Sequence, residues 1–267
     1  MRVPPVLLST SSCYPASTES AFADAARLGY DGLELMVWKW PETRDPDRLG
    51  EYAQTYGVPV LAVHSPTLLL TQRVWGTDAW GKIDRSVELA EAVGAEVVVV
   101  HPPFRWQREY AAGFVEGIAR RQAATEVRIA VENMFPWKAR AKDGSRTKER
   151  HAYLPHWDPV SLGYEHVTLD LSHAGIAGQD PLAMAHALGP RLAHIHLTDS
   201  TGSNRDEHLA PGRGRQPCRE LLAALPELGF TGSIAVEVTT RKMKPAERER
   251  ALAESLAFAR EHMPSFT

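Results

Sequence analysis

Short β-type runs alternate with helical segments along the whole chain, and this alternation constrains the fold more than any other feature. Eight runs have the composition and length of strands, namely residues 3–9, 31–35, 58–65, 95–101, 127–133, 166–173, 191–199 and 232–240. Helical periodicity or helix-end signals follow seven of them, in residues 18–29, 46–56, 78–94, 109–125, 180–189, 216–229 and 245–262. Parallel strands need crossover connections of this kind, so the chain is predicted to be an α/β protein with a parallel sheet.

Eight such units in 267 residues predict a single (β/α)8 TIM barrel that occupies residues 1–267 as one domain. A doubly wound open sheet is the alternative. It more often carries a glycine-rich phosphate loop after its first strand, whereas residues 9–18, STSSCYPAST, contain no glycine. The one charge-rich segment, residues 138–151, is expected to be either a solvated loop or a lid over the mouth of the barrel.

Composition restricts the location and the partners of the protein. The net charge of −3 gives no overall positive field that would attract nucleic acid. Cys13 and Cys218 form no CxxC pattern, so a disulfide framework is not expected. No apolar run reaches membrane-spanning length, and the run at the N-terminus is too short for a signal peptide. We therefore expect a cytoplasmic protein without a membrane partner, and the sequence is compatible with a homo-oligomer.

Polar side chains stand at the ends of six predicted strands that are otherwise apolar. They are His64, His101, Glu132, Asp170 with His173, His196 and Glu237. The C-terminal ends of barrel strands meet on one face, where barrel enzymes carry their active sites. Equivalent positions on six strands are difficult to explain as isolated structural residues, so we predict a functional site on this face.

The donor types predict that this site holds a divalent metal cofactor. Imidazole and carboxylate groups without thiolate suit Zn²⁺, Mn²⁺, Co²⁺ or Fe²⁺. Crowded carboxylates raise each other's pKa, and a divalent cation removes that repulsion. We expect one to three ions, with zinc and manganese as the first candidates.

The segment after the seventh strand adds further candidates. Residues 194–212 contain Asp206 and His208 as possible additional ligands. We expect Asp199 to orient His196, and His194 to support the site from a deeper layer of the barrel. Glu34, at the end of the second strand, either faces the site or forms a salt bridge at the rim.

The strand-end residues, together with VENMFPW, AHIHLTDS and EHLAPGRG, resemble the xylose isomerase-like TIM-barrel superfamily, which includes sugar isomerases and epimerases and endonuclease IV. The resemblance to ketose 3-epimerases of the tagatose type implies one metal ion held by Glu132, Asp170, His196 and Glu237, with His173 contacting substrate oxygens. The resemblance to endonuclease IV implies additional ligands for three zinc ions, namely His64, His101, His173, Asp206 and His208.

Two enzymatic hypotheses follow. In the first, the protein is a metal-dependent isomerase or epimerase of a sugar or sugar phosphate. Glu132 and Glu237 would remove and return a proton through a metal-stabilised enediolate, while His173 holds a substrate oxygen.

In the second hypothesis, the protein is a multi-metal phosphodiesterase or phosphatase of endonuclease IV type that cleaves DNA at abasic sites. Glu237 would orient the attacking water and Glu132 would bridge metals. DNA is a partner only under this alternative, and Thr67, where the DNA-cutting relatives have an aromatic side chain, opposes it. A non-enzymatic sugar- or metal-binding protein is a third interpretation.

Residues in the loops after the strands are candidates for substrate binding. Trp38, Trp106 and Trp137 are candidates for an apolar wall of the site, with ordinary packing in a long loop as the alternative. Cationic side chains that follow strand ends are candidates for binding a phosphate group, namely Lys39, Arg105 and Lys138. Arg205 is the candidate for an arginine that the epimerases carry beyond the His196 position. A solvated surface role is the alternative for each cation alone.

Overall fold

A computed structural model describes residues 3–67, 71, 73–140 and 147–264 of the chain. Its strands are β1 (Val6–Ser9), β2 (Gly32–Met36), β3 (Val60–His64), β4 (Val97–Val100), β5 (Arg128–Glu132), β6 (Trp137–Arg140), β7 (Thr147–Arg150), β8 (His166–Asp170), β9 (Leu192–Leu197) and β10 (Ser233–Val236). Its α-helices are α1 (Thr18–Leu28), α2 (Pro46–Tyr56), α3 (Ala79–Val93), α4 (Arg108–Ala112), α5 (Phe114–Gln122), α6 (Leu171–Ala177), α7 (Pro181–Leu188), α8 (Cys218–Ala224) and α9 (Pro245–His262).

Eight of the strands close into a parallel barrel in the order β1-β10-β9-β8-β5-β4-β3-β2, with β2 pairing back onto β1. The predicted (β/α)8 barrel is therefore confirmed, and the open-sheet alternative is wrong. The main hydrophobic core lies between the barrel strands and the surrounding helices.

A second, smaller cluster of buried side chains fills the barrel, and it includes Ala62, Val99, Ala130 and Ala235. Successive side chains of a strand point to opposite faces, so the residue two positions later points the same way. Two positions beyond these four residues, the chain has His64, His101, Glu132 and Glu237. The alternation that packs the interior therefore also directs the polar strand-end residues towards the axis of the barrel mouth.

The structure differs from the sequence prediction in two connections. The predicted helix over residues 109–125 is two helices, α4 and α5, separated at Gly113. The polar connection after β5 contains an antiparallel hairpin of β6 and β7. The sequence of this hairpin shows too little alternation of apolar and polar residues to predict its strands. Part of the segment 138–151, residues 141–146, lies outside the described residues, so the choice between loop and lid stays a prediction.

Six strands end one to four residues earlier than predicted, and in β8 the difference places a predicted site residue on a helix. β8 ends at Asp170, and His173 lies in the first turn of α6 rather than at a strand end. The Asp170 carboxylate accepts a hydrogen bond from the His173 amide and so caps this helix, which turns His173 back towards the barrel mouth.

Both cysteines are buried and free. Among the described residues, no helix combines the length and apolar character needed to span a bilayer.

Candidate active site at the mouth of the barrel

The barrel mouth brings together all nine side chains that the sequence analysis named as candidate metal ligands. Each one lies within 4.0 Å of another member of the set, which comprises His64, His101, Glu132, Asp170, His173, His196, Asp206, His208 and Glu237. Their elements are spread from β3 to β10, so only barrel closure can produce this cluster.

His196 is the centre of the cluster. Its Nδ1 atom lies 2.9 Å from Glu237 Oε2, 3.2 Å from Glu132 Oε1 and 3.6 Å from Asp170 Oδ2. All four side chains are buried. Three carboxylates thus converge on one ring nitrogen at the ends of neighbouring strands.

Three further imidazoles surround Glu132. His101 Nε2 lies 2.7 Å and His64 Nε2 lies 3.5 Å from Glu132 Oε2, and His173 Nδ1 lies 3.2 Å from Glu132 Oε1. His173 Nδ1 also lies 2.9 Å from the carbonyl oxygen of Asn133, to which it can donate its proton. Its Nε2 atom then faces Asp206 Oδ2 at 3.4 Å.

The loop after β9 contributes Asp206 and His208. His208 Nε2 lies 2.9 Å from Asp206 Oδ1 and 3.8 Å from Asp170 Oδ2. The backbone of His208 has φ of 42°, a left-handed conformation uncommon for a side chain of this size. Hydrogen bonds hold it on both sides, because its amide donates to Ser172 Oγ and its carbonyl accepts from the Thr239 amide.

Asp199 does not orient His196, in contrast to the sequence expectation. Its Oδ1 atom accepts from the amides of Ser200 and Gln216, and its Oδ2 atom accepts from the amides of Gly212 and Gly214. A carboxylate that satisfies four backbone donors fixes the shape of the loop that presents Asp206 and His208. The sequence could not show this, because the amides belong to a loop without regular structure.

Glu34 performs the orienting role instead. Its Oε2 atom lies 2.9 Å from Nε2 of both His194 and His196, and all three residues are completely buried. A carboxylate only accepts hydrogen bonds, so both Nε2 atoms donate to it, and Nδ1 of His196 is left to face the cluster. His194 Nδ1 in turn accepts from the Ser233 hydroxyl, 2.8 Å away.

The electrostatics of the cluster favour the charged form of several side chains, whereas burial lowers the pKa of His101. Burial lowers the pKa of His196, but the nearby carboxylates of Glu34, Glu237 and Glu132 outweigh it and raise that pKa well above its ordinary value. Burial likewise opposes the charge of Glu132, while His101 and His196 hold its pKa well below the usual range. Against its own burial, Asp206 and Asp170 raise the pKa of His208 to about 10.

The cluster fits a divalent cation on three grounds. Asp170 Oδ2 is buried and forms no hydrogen bond with any described residue. His196 donates one ring N–H to a carboxylate, and His173 donates one to a backbone carbonyl. Carboxylates and backbone carbonyls are the usual hydrogen-bond partners of the second ring nitrogen in a metal-ligating imidazole. Among the described residues, three groups of cluster side chains have donor atoms within 4.8 Å of one another, namely His64-His101-Glu132, Asp170-His173-His208 and Glu132-Asp170-His196, and a fourth such group comprises Glu34, His194 and His196.

The predicted substrate-binding residues differ in how close they lie to the cluster, and the tryptophans lie beside it. Trp38 lines a cavity together with Glu237. Trp137 is 39% exposed and its ring lies 5.9 Å from that of Trp106, which is 49% exposed. Both indoles therefore reach the solvent beside the barrel mouth, as walls of a binding site would.

The predicted cations lie further from the cluster. Lys39 and Arg205 are exposed, and neither lines the two cavities that adjoin His101 and Glu237. Arg105 is also exposed and lines an open basic depression with Arg108, Arg150 and His151. The side chain of Lys138 lies outside the part of the chain that the structure describes.

Three residues beside Glu237 carry no signal in the sequence that marks them as part of the site. Ser11 donates a hydrogen bond to Glu237 Oε1 over 3.0 Å, and Tyr14 and Arg241 line the cavity that contains Glu237. Ser11 and Tyr14 follow β1, whose last residues are apolar or small, so no His, Asp or Glu marked this strand end.

A comparison of the sequence with known protein families identifies the fold independently. The profile described as xylose isomerase-like TIM barrel matches residues 22–262. The chain belongs to this family.

Relatives within the family include proteins of unassigned and of assigned activity. An uncharacterized protein of Mycobacterium tuberculosis is 49% identical over 270 residues, covering 96% of each chain. Fructoselysine 3-epimerase of Shigella flexneri is 23% identical over 251 residues, covering 84% of this chain and 86% of the epimerase. The assigned relative is thus much more distant than the uncharacterized one.

Solved structures share the barrel at low sequence identity. D-psicose 3-epimerase of Clostridium cellulolyticum, solved with D-tagatose, superimposes with a TM-score of 0.70 at 15% identity, covering 98% of this chain and all of the epimerase. The 3-keto-D-glucoside 4-epimerase of E. coli superimposes with a TM-score of 0.67 at 16% identity, covering 97% and 99% of the two chains. These likenesses establish a common fold.

Proposed function

We propose that this protein is a divalent-metal-dependent epimerase or isomerase of keto-sugars, which moves a proton at the carbon next to the carbonyl group. The observation that carries the proposal is the convergence of Glu132 and Glu237 on His196 Nδ1, at 3.2 and 2.9 Å. Two carboxylates around one centre can serve two faces of the same substrate carbon. The sugar epimerases among the relatives support the same class of reaction.

In this proposal, Glu132 and Glu237 have two roles each, and Asp170, His196 and His173 have one role each. Glu132, Asp170, His196 and Glu237 hold the cation, which supplies Lewis acidity at a carbonyl and the adjacent hydroxyl. Glu237 and Glu132 act as the base and acid pair that removes and returns the proton. His173 donates a hydrogen bond to a substrate oxygen or accepts one from it. Buried surroundings exclude water from the reacting carbon, which limits unwanted loss of the proton.

Phosphoester hydrolysis by several cations is the second candidate. The observation that favours it is the extension of the cluster by Asp206 and His208, which join His173 and Asp170 in an additional group of donors. A one-metal epimerase does not require this extension, whereas two-metal hydrolases use pairs of cations about 3.5–4 Å apart.

The test uses purified protein stripped with a chelator and reloaded with Mn²⁺ or Zn²⁺. Incubation with a panel of keto-sugars in D₂O should incorporate deuterium next to the carbonyl, as observed by NMR, only after reloading. Absence of exchange from every sugar would reject the epimerase. Cleavage of an abasic-site duplex or a model phosphodiester, with two or three bound ions per chain, would establish the hydrolase instead.

A further inference from the structure

A cavity of about 290 Å³ adjoins Glu237 on the side of β1 and β2. We call it the aromatic pocket, and define it by Tyr14, Trp38, Trp40, Thr43, Glu237 and Arg241. The Tyr14 and Trp40 rings stack at a centroid distance of 6.1 Å, and Trp38 meets Tyr14 edge-on at 6.2 Å. Flat apolar walls of this kind suit the C–H face of a sugar ring or chain.

The pocket is held in shape before any ligand binds. Thr43 is buried, and its hydroxyl lies 3.0 Å from the Trp38 amide, 2.7 Å from the Trp40 carbonyl and 3.0 Å from the Trp38 carbonyl. These hydrogen bonds tie the two tryptophans of the loop together. A preformed pocket loses less conformational entropy when a ligand binds.

Glu237 connects the aromatic pocket with the catalytic cluster. Its Oε2 atom lies 2.9 Å from His196 in the cluster, and its Oε1 atom accepts from Ser11, which also lines the pocket. A substrate whose reacting carbon lies beside Glu237 can therefore extend its remaining atoms into the pocket.

Arg241 adds a positive charge to the rim. Its guanidinium carbon lies 5.4 Å from the centre of the Tyr14 ring. Within the described residues, no carboxylate lies within ion-pairing distance of it. An exposed guanidinium over an aromatic ring repels a cationic ligand, and its planar fork matches a carboxylate or a phosphate.

A second cavity, of about 250 Å³, reaches the cluster at His101. Its cationic side chain is Lys82, whose amine donates to the carbonyls of Pro66 and Thr71. This ammonium group is already engaged by the backbone, so charge complementarity favours the aromatic pocket as the anion-binding side.

We propose that the aromatic pocket binds the non-reacting end of a keto-sugar that carries an anionic group, a phosphate or a carboxylate. The sugar carbons lie against Tyr14, Trp38 and Trp40, and the anion pairs with Arg241. This inference rests on the proposed function, because it places the carbonyl end at the cluster and the anionic end in the pocket.

The experiment measures binding and catalysis separately in the metal-loaded protein. The ligands are a neutral ketohexose, its 6-phosphate and the corresponding hexuronate, titrated calorimetrically at constant ionic strength, with inorganic phosphate as the probe for the anion alone. We expect one anionic sugar to bind roughly 10-fold or more tightly than the neutral one, as a charge-assisted pair provides. The preferred sugar then distinguishes phosphate from carboxylate.

Three variants test which side chains produce the difference in affinity between the anionic and the neutral sugar. Arg241→Gln, which keeps much of the side-chain stem, should reduce the ratio of anionic to neutral affinity to about 1, the value expected without the ion pair. Trp40→Ala should weaken the neutral and anionic sugars by similar factors. Arg250→Ala removes an exposed arginine of α9 that does not line the pocket, and should change neither.

The outcomes separate the two proposals. Arg241-dependent binding of an anionic sugar without deuterium exchange would retain the pocket and reject the epimerase. Equal binding of neutral and anionic sugars, an unchanged ratio in Arg241→Gln, or no binding of any anionic sugar would reject the pocket, even if the neutral sugar exchanges deuterium.

Discussion

Glu34 shows how a residue without access to substrate determines what the cluster can bind. Its single oxygen Oε2 accepts from Nε2 of both His194 and His196. If His196 instead carried its proton on Nδ1, the nitrogen that faces Glu132 and Glu237 would have no lone pair for a cation. Glu34 therefore selects the tautomer that leaves this nitrogen able to bind a cation.

We predict that Glu34→Gln lowers the affinity for Mn²⁺ or Zn²⁺ about 10- to 100-fold, the usual effect of losing an outer partner of a ligating histidine. The amide retains the size of the carboxylate, but it is neutral and presents a donor group beside two ring nitrogens. Titration calorimetry of the chelator-treated protein measures the effect, and circular dichroism checks the fold. Glu220→Gln, the same exchange at an exposed position, serves as control. Unchanged cation affinity in Glu34→Gln would remove the role assigned to Glu34.

Glu237 is the residue at which the proposed chemistry is most directly tested. We predict that Glu237→Gln reduces the deuterium exchange rate about 10²- to 10⁴-fold, the range that a positioned acid or base contributes. The barrel should remain folded, because Glu237 lies after β10 and makes side-chain contacts with Ser11 and His196 at the mouth. NMR exchange assays and thermal unfolding measure the two effects. Exchange at the unaltered rate in a variant that still binds the cation would exclude Glu237 as the base.

At the scale of elements, the loop after β9 owes its shape to Asp199. Backbone pairing between Asp199 and Leu209, with both N–O distances 2.8 Å, closes the loop at its base. The Asp199 side chain then binds four amides further along the chain. Asp206 and His208 are positioned by this scaffold rather than by regular secondary structure.

We predict that Asp199→Asn destabilises the protein by about 2–4 kcal/mol, since hydrogen bonds to a charged acceptor contribute about 1.5–3 kcal/mol and buried amides would lose theirs. One of the two acceptor atoms becomes an amide nitrogen that opposes N–H donors. Urea unfolding measures the loss. Asp180→Asn is the control, because the Asp180 carboxylate accepts from one amide at the start of α7. If both variants lost the same stability, the carboxylate would not be the determinant of the loop.

The positions of the strand-end residues were predictable because they obey a local rule. His64, Glu132 and Asp170 each complete an apolar strand, and the alternation of side chains then fixes their direction. Barrel closure was likewise implied by the number of strand and helix units. The sequence thus contained the cluster as a set of equivalent positions.

Other features depend on contacts between segments far apart in sequence, and these were not predictable. Arg241 and Tyr14 are more than 220 residues apart but share one pocket. Glu34 meets His194 only because β2 and β9 lie across the same barrel interior. The local sequence around Arg241 does not specify Tyr14 as its neighbour, and the local sequence around Glu34 does not specify His194.

At the scale of the whole molecule, a cation at the mouth would bridge strands from different parts of the barrel. Glu132, Asp170, His196 and Glu237 come from β5, the end of β8, β9 and the residue after β10. An unfolded chain separates these ligands, so a cation binds the folded barrel preferentially and stabilises it. At a free concentration of 100 times Kd, the gain is about 2.7 kcal/mol.

We predict that reloading the chelator-treated protein with Mn²⁺ or Zn²⁺ at this excess raises Tm by roughly 5–10 °C, given about 2–4 °C per kcal/mol for a chain of this size.

The gain in Tm on cation binding should also depend on pH. The carboxylates of Glu34, Glu237 and Glu132 raise the pKa of His196 well above its ordinary value, so in the cation-free barrel this ligand imidazole holds a proton that a cation must displace. The stabilisation that this proton gives the cation-free barrel is complete below the ordinary pKa of histidine and is lost as the pH rises through the raised value. At one fixed free cation concentration, the difference in Tm between the loaded and the stripped protein should therefore be larger at pH 8.5 than at pH 6, as measured by calorimetric scans at both. An equal difference at the two pH values would mean that the cation displaces no proton from His196, and therefore binds elsewhere.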